Sequence, residues 1–123
     1  MPLTASLRDE ENERISNILK RLIGLDYVPE NVVTLDEILF KLDLDKQTLL
    51  MMRAENLLLH LQKSHFDFAN TEQFGDFLVK LSNQSTAEQL GLLTKAIAVY
   101  NYIQQESKTF SVVIANKISV AKI

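Results

Sequence analysis

With 123 residues, of which 46% are hydrophobic and 24% charged, the chain has the length and composition of one globular domain and not of a disordered segment. The absence of cysteine excludes a disulfide framework, a thiolate metal site and a thiol nucleophile. The formal net charge of −3 lacks the strong basic excess that is typical of nucleic-acid-binding domains.

The beginning of the sequence does not have the pattern of a secretion signal. It turns acidic at Asp9, Glu10 and Glu11, where a signal peptide would become apolar. No apolar run approaches the roughly 18 residues that a membrane span needs. We therefore expect a soluble cytoplasmic protein with no membrane segment.

The first predicted helix covers residues 7–23, and we expect residues 1–5 before it to be disordered. Its apolar residues recur at helical spacing, and Gly24 follows as a left-handed stop. A second, short helix follows Pro29. It opens at Thr34 and Glu37, which have the spacing of a capping box.

Residues 45–63 form the most continuously apolar helical segment, with Asp45 as its predicted N-cap. One stripe faces inward and contains Leu50, Ala54, Leu57, Leu58 and Leu61. Met52 and Leu59, seven residues apart, form a second stripe on the other side. A helix that is apolar on two sides is normally covered from two sides. The cover is either the chain's own neighbouring helices or a partner surface, and the sequence leaves both open.

Two further helices follow. Asn70, with Gln73 three residues later, is the predicted cap of the fourth, and Ser85 with Glu88 opens a fifth that runs to about residue 105. The fifth helix also has two stripes. Its predicted main stripe is Leu90, Leu93, Ile97 and Tyr100, and its second stripe is Leu92, Val99 and Ile103.

The last segment, residues 108–123, fits a helical period, although the β-branched run at residues 112–114 would also suit a strand. No second strand candidate exists to pair with it, so the pattern favours a helix. The whole chain, residues 1–123, is therefore predicted as one all-α domain. We expect a compact, mostly antiparallel bundle of five or six helices, with the third and fifth side by side at its centre.

Residues 34–53 resemble a helix-turn-helix. The resemblance implies a small DNA-binding regulator that reads bases with Lys46, Gln47 and Arg53. The segment departs from the motif at Leu39, where a small residue is usual, and at Asp43, where glycine is usual.

Four aromatic residues, Phe66, Phe68, Phe74 and Phe77, are candidates either for lining an apolar pocket or for closing one end of the bundle. His60 and His65 lack the spacing of a metal site, and no motif for a nucleophile, a phosphate or a cofactor is present. We expect neither an enzyme nor a cofactor.

The remaining hypothesis is a domain that acts by protein–protein interaction. Two helices with two apolar sides each carry more apolar surface than one neighbour can cover. The sequence thus predicts a homodimer, or a complex with another protein, with an interface at Met52, Leu59, Leu92 and Val99.

Overall fold

The fold is seen in a computed structural model, which describes residues 3–25, 32–84, 86–107 and 111–122. Over those ranges the chain forms helices and no strands, which confirms the all-α prediction, and the helices pack as a compact bundle. The seven helices are α1 Leu3–Gly24, α2 Val32–Phe40, α3 Lys46–Met51, α4 Ala54–Lys63, α5 Phe68–Ser82, α6 Thr86–Glu106 and α7 Val112–Lys122.

Several predicted helix starts are corrected. α1 begins at Leu3, so residues 3–5 are helical, while residues 1–2 lie outside the described ranges. α2 begins at Val32, which puts Thr34 inside the helix and not at its cap. Asp67 caps α5 by accepting the N–H of Asn70 at 2.7 Å, whereas Asn70 is buried and donates to the carbonyl of Asn12 at 3.0 Å. Pro29 and Ser85 lie outside the described residues.

The predicted central helix is two helices, because the backbone is extended at Met52 (φ −75°, ψ 151°) and Arg53 (φ −76°, ψ 155°). Asp45 caps α3 as predicted, accepting the N–H of Thr48 at 2.7 Å. At the other end of α3 the buried ammonium of Lys95 donates to the carbonyl of Leu50 at 3.3 Å. A cation on a free carbonyl at a helix C-terminus is favourable both as a hydrogen bond and against the helix dipole. The break is therefore stabilised from α6.

α2 ends in a Schellman motif built on Asp43, whose φ is 59°. The N–H of Leu44 donates to Leu39 O at 3.1 Å, and the N–H of Asp43 donates to Phe40 O at 2.9 Å, which is the pairing that defines the motif. His60 from α4 adds a third contact, with Nε2 lying 2.8 Å from the carbonyl of the intervening Leu42. Because a carbonyl only accepts, this ring nitrogen carries the hydrogen.

α4 ends in the same way around His65, whose φ is 65°. The N–H of Phe66 donates to Leu61 O at 3.1 Å, and the N–H of His65 donates to Gln62 O at 3.1 Å. Gly24, predicted as a left-handed stop, does end α1, but its φ is not positive. There the ammonium of Lys80 donates to the carbonyl of Ile23.

α5 and α6 form the most extensive helix pair, with α1 packed on α5 and with α4 and α7 packed on α6. The predicted third helix, which is α3 and α4, does lie beside the predicted fifth, α6, but the central pair is α5 and α6. The two backbones approach closely at Gly75, which is buried beside the fully buried Tyr100. A Cβ on Gly75 would lie 2.7 Å from Cε1 of the Tyr100 ring. Only glycine fits there without moving the ring.

We predict opposite effects of alanine at two helical glycines. Gly75→Ala should lower the free energy of unfolding by about 1–3 kcal/mol, because a buried ring would have to move. Gly91→Ala should raise it by up to about 1 kcal/mol, because apart from the local backbone of α6 nothing lies within 4 Å of the new Cβ and alanine favours the helix. Urea denaturation followed by circular dichroism measures both, and equal signs would contradict the close approach.

A second prediction concerns the break between α3 and α4. Lys95→Met keeps the apolar part of the side chain but leaves the Leu50 carbonyl without its donor, and should cost about 1–2 kcal/mol of unfolding free energy. Lys122→Met, at an exposed position on α7, is the matched control and should change stability by less than about 0.5 kcal/mol. An unaffected Lys95→Met variant would show that the cation does not stabilise the break.

Candidate interaction surface on α7

The start of α7 is fixed by the side chain of Gln104 on α6. Its Nε2 donates to the carbonyl of Ser111 at 2.9 Å, and its Oε1 accepts the Ser111 N–H at 3.0 Å. The Ser111 hydroxyl oxygen in turn accepts the N–H of Ile114 at 3.2 Å, which is the bond of an N-capping serine. The direction in which α7 leaves α6 is thereby determined.

One face of α7 packs against the bundle. Ile114 and Ala121 are buried, and Ile118 packs partly buried against the core. These residues are four and seven apart, which puts them on one side of the helix. The predicted helix is confirmed over residues 112–122, whereas residues 108–110 and 123 lie outside the described ranges.

Lys117 bridges α7 to α5. Its ammonium lies 2.5 Å from a carboxylate oxygen of Glu72 and 3.1 Å from one of Asp76. The hydroxyl of Tyr100 on α6 donates to the same Asp76 at 2.6 Å. We call these four residues the polar bridge. It ties three helices together at one point.

The titration of the polar bridge is shifted so that its donors keep their protons. Burial, and then the hydrogen bond to Asp76, raise the pKa of Tyr100 far above its ordinary value. Burial lowers the pKa of Lys117, but its hydrogen bonds to Glu72 and Asp76 outweigh that effect and the net pKa is raised. A base or an amine nucleophile needs the opposite shift. The polar bridge therefore has the chemistry of a structural tie.

The opposite side of α7 is exposed and largely apolar. Its residues follow the spacing i, i+1, i+4, i+7 and i+8, so they share one face. We call it the outward face; it consists of Val112, Val113, Asn116, Ser119 and Val120. The three valines are 64%, 61% and 67% exposed, in chain order. Such a concentration of exposed large aliphatic side chains on a short helix is typical of an interaction surface.

A groove adjoins this face on the side of α5. It has a volume of about 440 Å³, and residues from three helices line it, among them Val79 of α5, Tyr100 of α6, and Val113 and Val120 of α7. The lining is mainly apolar, with Asp76, Asn116 and Lys117 as its polar side chains. A groove with such a lining has the character of a site for apolar side chains.

The structure separates the four residues of the predicted interface. Leu92 and Val99 are fully buried, so they belong to the core of α6 and offer nothing to a partner. Met52 packs partly buried against the core. Leu59 is 52% exposed, but its neighbours at i±3 and i±4 are the exposed polar residues Glu55, Asn56, Gln62 and Lys63. The four residues do not form one surface.

The helix-turn-helix segment is placed unfavourably for reading DNA. α3 has six residues, and Arg53 lies beyond its end. The Lys46 ammonium is 3.7 Å from Glu88, and its backbone N–H donates to Asp36 at 2.9 Å. Gln47 is exposed. Carboxylates around the start of a recognition helix would repel phosphates.

The four predicted aromatic residues pack on one another and on their neighbours. Phe74 and Phe77 are fully buried and meet edge to face at 5.6 Å between ring centroids, and Phe66 meets Phe74 in the same manner at 6.0 Å. Phe68 is partly exposed, 6.5 Å from the ring of Tyr102. These contacts favour the alternative in which the aromatics close one end of the bundle over the one in which they line a pocket.

None of the helices in the described ranges has the length and hydrophobicity needed to cross a bilayer. Among the same residues, no group of three or more histidine and carboxylate side chains is placed to hold a metal ion.

No protein-family model, curated protein or solved structure matches the chain.

The outward face of α7 is the feature that the sequence reasoning missed. The β-branched run at residues 112–114 suits a helix or a strand, and by itself it does not indicate an interface. The spacing of Val112, Val113 and Val120 around Asn116 does. That spacing was the available signal, since two valine positions seven or eight residues apart share a helical face.

The polar bridge yields a prediction of pH dependence. A pKa that is raised on folding contributes stability below the unfolded pKa, and the contribution is lost as the pH rises through the folded value. We expect Lys117→Met to lower the unfolding free energy by about 0.5–1 kcal/mol near pH 8 and by progressively less above about pH 10.4, the ordinary lysine pKa. Urea denaturation at several pH values measures the difference from the unmodified chain.

Lys122→Met is the control for this experiment, because Lys122 lies on the same helix and forms no ion pair with a described residue. A Lys117→Met difference that stays constant from pH 8 to strongly alkaline conditions would contradict the assignment.

Proposed function

We propose that this helical domain acts by protein–protein contact and that it self-associates as a homodimer through the outward face of α7. The observation that carries the proposal is the exposure of Val112, Val113 and Val120, each above 60%, on a helix whose other side is docked on α6. Burying three such valines would contribute several kcal/mol. A two-fold dimer is the commonest way for a chain to cover a surface of this kind.

The surface differs from the interface that the sequence predicted. Leu92 and Val99 have no exposed area to bury, and Leu59 stands alone among polar neighbours. The outward face, by contrast, combines three exposed valines with the groove beside Val79. Contiguous apolar area, and not a single exposed residue, is what favours association.

Contact fits the chemistry of the site better than catalysis or DNA binding does. The protons of Lys117 and Tyr100 are held by the carboxylates beside them, and Lys46, the first of the DNA-reading candidates, is paired with Glu88. We also propose a cytoplasmic location, which the absence of cysteine fits.

The proposal is tested by mass in solution. The unmodified chain should have twice the mass of one chain by light scattering or sedimentation equilibrium. Val112→Glu combined with Val120→Glu should reduce it to the mass of one chain. Each copy would bring two carboxylates into the interface, and burying them without a cationic partner is unfavourable.

Val33→Glu is the matched control, since Val33 is 68% exposed on α2, and this variant should remain dimeric. Circular dichroism should show native helix content in all three proteins. An unmodified chain with the mass of one chain at tens of micromolar, or a dimeric double variant, would overturn the proposal.

A further inference from the structure

The outward face of α7 is nearly symmetric along the chain about Asn116. Val112 and Val120 lie four residues on either side of it, and Val113 and Ser119 lie three residues on either side. All five residues are exposed. The face therefore presents a valine at both ends and asparagine at its centre in either chain direction, while valine and serine occupy the two positions between them.

We infer that two copies pair α7 against α7 in antiparallel orientation, with the two-fold axis passing beside Asn116. The inference rests on the proposed self-association and adds its geometry. Val112 of one copy then contacts Val120 of the second copy, and Val113 contacts Ser119. The two Asn116 amides meet at the axis, where each can donate to and accept from the other.

The charges of α7 favour this orientation over a parallel one. The helix carries Lys117 and Lys122 and no acidic residue. In the antiparallel pair the two Lys122 side chains are twelve residue positions apart along the paired helices, about 18 Å at 1.5 Å per residue, whereas a parallel pair would bring them together. Antiparallel helix dipoles also attract side by side, while parallel ones repel.

Lys117 lies near the axis but is directed away from it. Its ammonium is held by Glu72 and Asp76 on α5, so the second copy meets the stem of the side chain and not a free charge. This leaves Asn116 as the one polar residue at the centre of the outward face. A single buried asparagine of this kind fixes helix register in coiled coils, because any shift leaves its amide unpaired.

The area of the pairing extends beyond α7. A helix of eleven residues is about 16 Å long and covers less than the roughly 800 Å² per partner of a stable interface. The groove of about 440 Å³ along Val79 of α5 is continuous with the outward face. Val113, Asn116 and Val120 of the outward face also line the groove along Val79, so a second copy seated on the valines covers that groove as well.

Engineered cysteines test the orientation cleanly, because the chain has none of its own. Under mild oxidation Asn116→Cys should cross-link to itself, moving most of the protein to the dimer band on a non-reducing gel. Val112→Cys and Val120→Cys should stay monomeric on the gel when oxidised separately. They should cross-link to each other when the two variants are mixed.

The distance between the same residue in the two copies distinguishes the antiparallel pair from the parallel one. In the antiparallel pair two residues at position 112 are about 12 Å apart along the axis, beyond the roughly 7 Å between Cα atoms that a disulfide allows. In a parallel pair Val112→Cys and Val120→Cys would each cross-link to themselves, and this result would overturn the inference. Val33→Cys is the control and should not cross-link.

The outcome also separates this inference from the proposed function. A dimer by mass that gives none of the expected cross-links contradicts the antiparallel register and leaves self-association standing. A chain with the mass of one copy, and no cross-link at any position, contradicts both.

Discussion

The close approach of α5 and α6 at Gly75 is the constraint on which the rest of the structure depends. Because Gly75 has no Cβ, the ring of Tyr100 can lie directly against the backbone of α5. That position brings the Tyr100 hydroxyl to Asp76, and Asp76 in turn holds Lys117 of α7. One missing methyl group thus determines where α7 is tied, and so which side of α7 is left exposed.

A second regularity explains how the chain ends its helices with so few glycines. Carbonyls in the last turns of α1 and α3 accept hydrogen bonds from Lys80 and Lys95, which lie on helices distant in sequence. In the turn that follows α2, the carbonyl of Leu42 accepts one from His60. α2 and α4 also turn in left-handed residues that are not glycine, Asp43 and His65. The ends of the helices are therefore stabilised by tertiary contacts, and the short helices depend on the assembled bundle.

This dependence sets the limit of what the sequence could predict. The class of fold, the helical nature of residues 112–122 and the cap at Asp45 follow from local periodicity and local hydrogen bonds, and the structure confirms them. The break at Met52 and Arg53 does not, because the apolar spacing continues through it and its stabilising donor, Lys95, is more than forty residues away in the chain. The left-handed conformation of Asp43 could not be predicted either, because aspartate carries no sequence signal for it. It does fit the position at which the helix-turn-helix motif has glycine.

α6 shows why a count of apolar stripes identifies excess surface but not its location. Leu92 and Val99 of the predicted second stripe are buried, whereas the predicted main stripe is divided, with Tyr100 buried against α5 and Leu90 79% exposed. α7 covers part of the remaining stripe with Ile114 and Ala121, but an eleven-residue helix that buries one side brings a new side of its own into solvent. None of the other helices in the described ranges covers that side. The excess apolar surface that the sequence indicates therefore lies on the outward face of α7, which no periodicity of α3, α4 or α6 identifies.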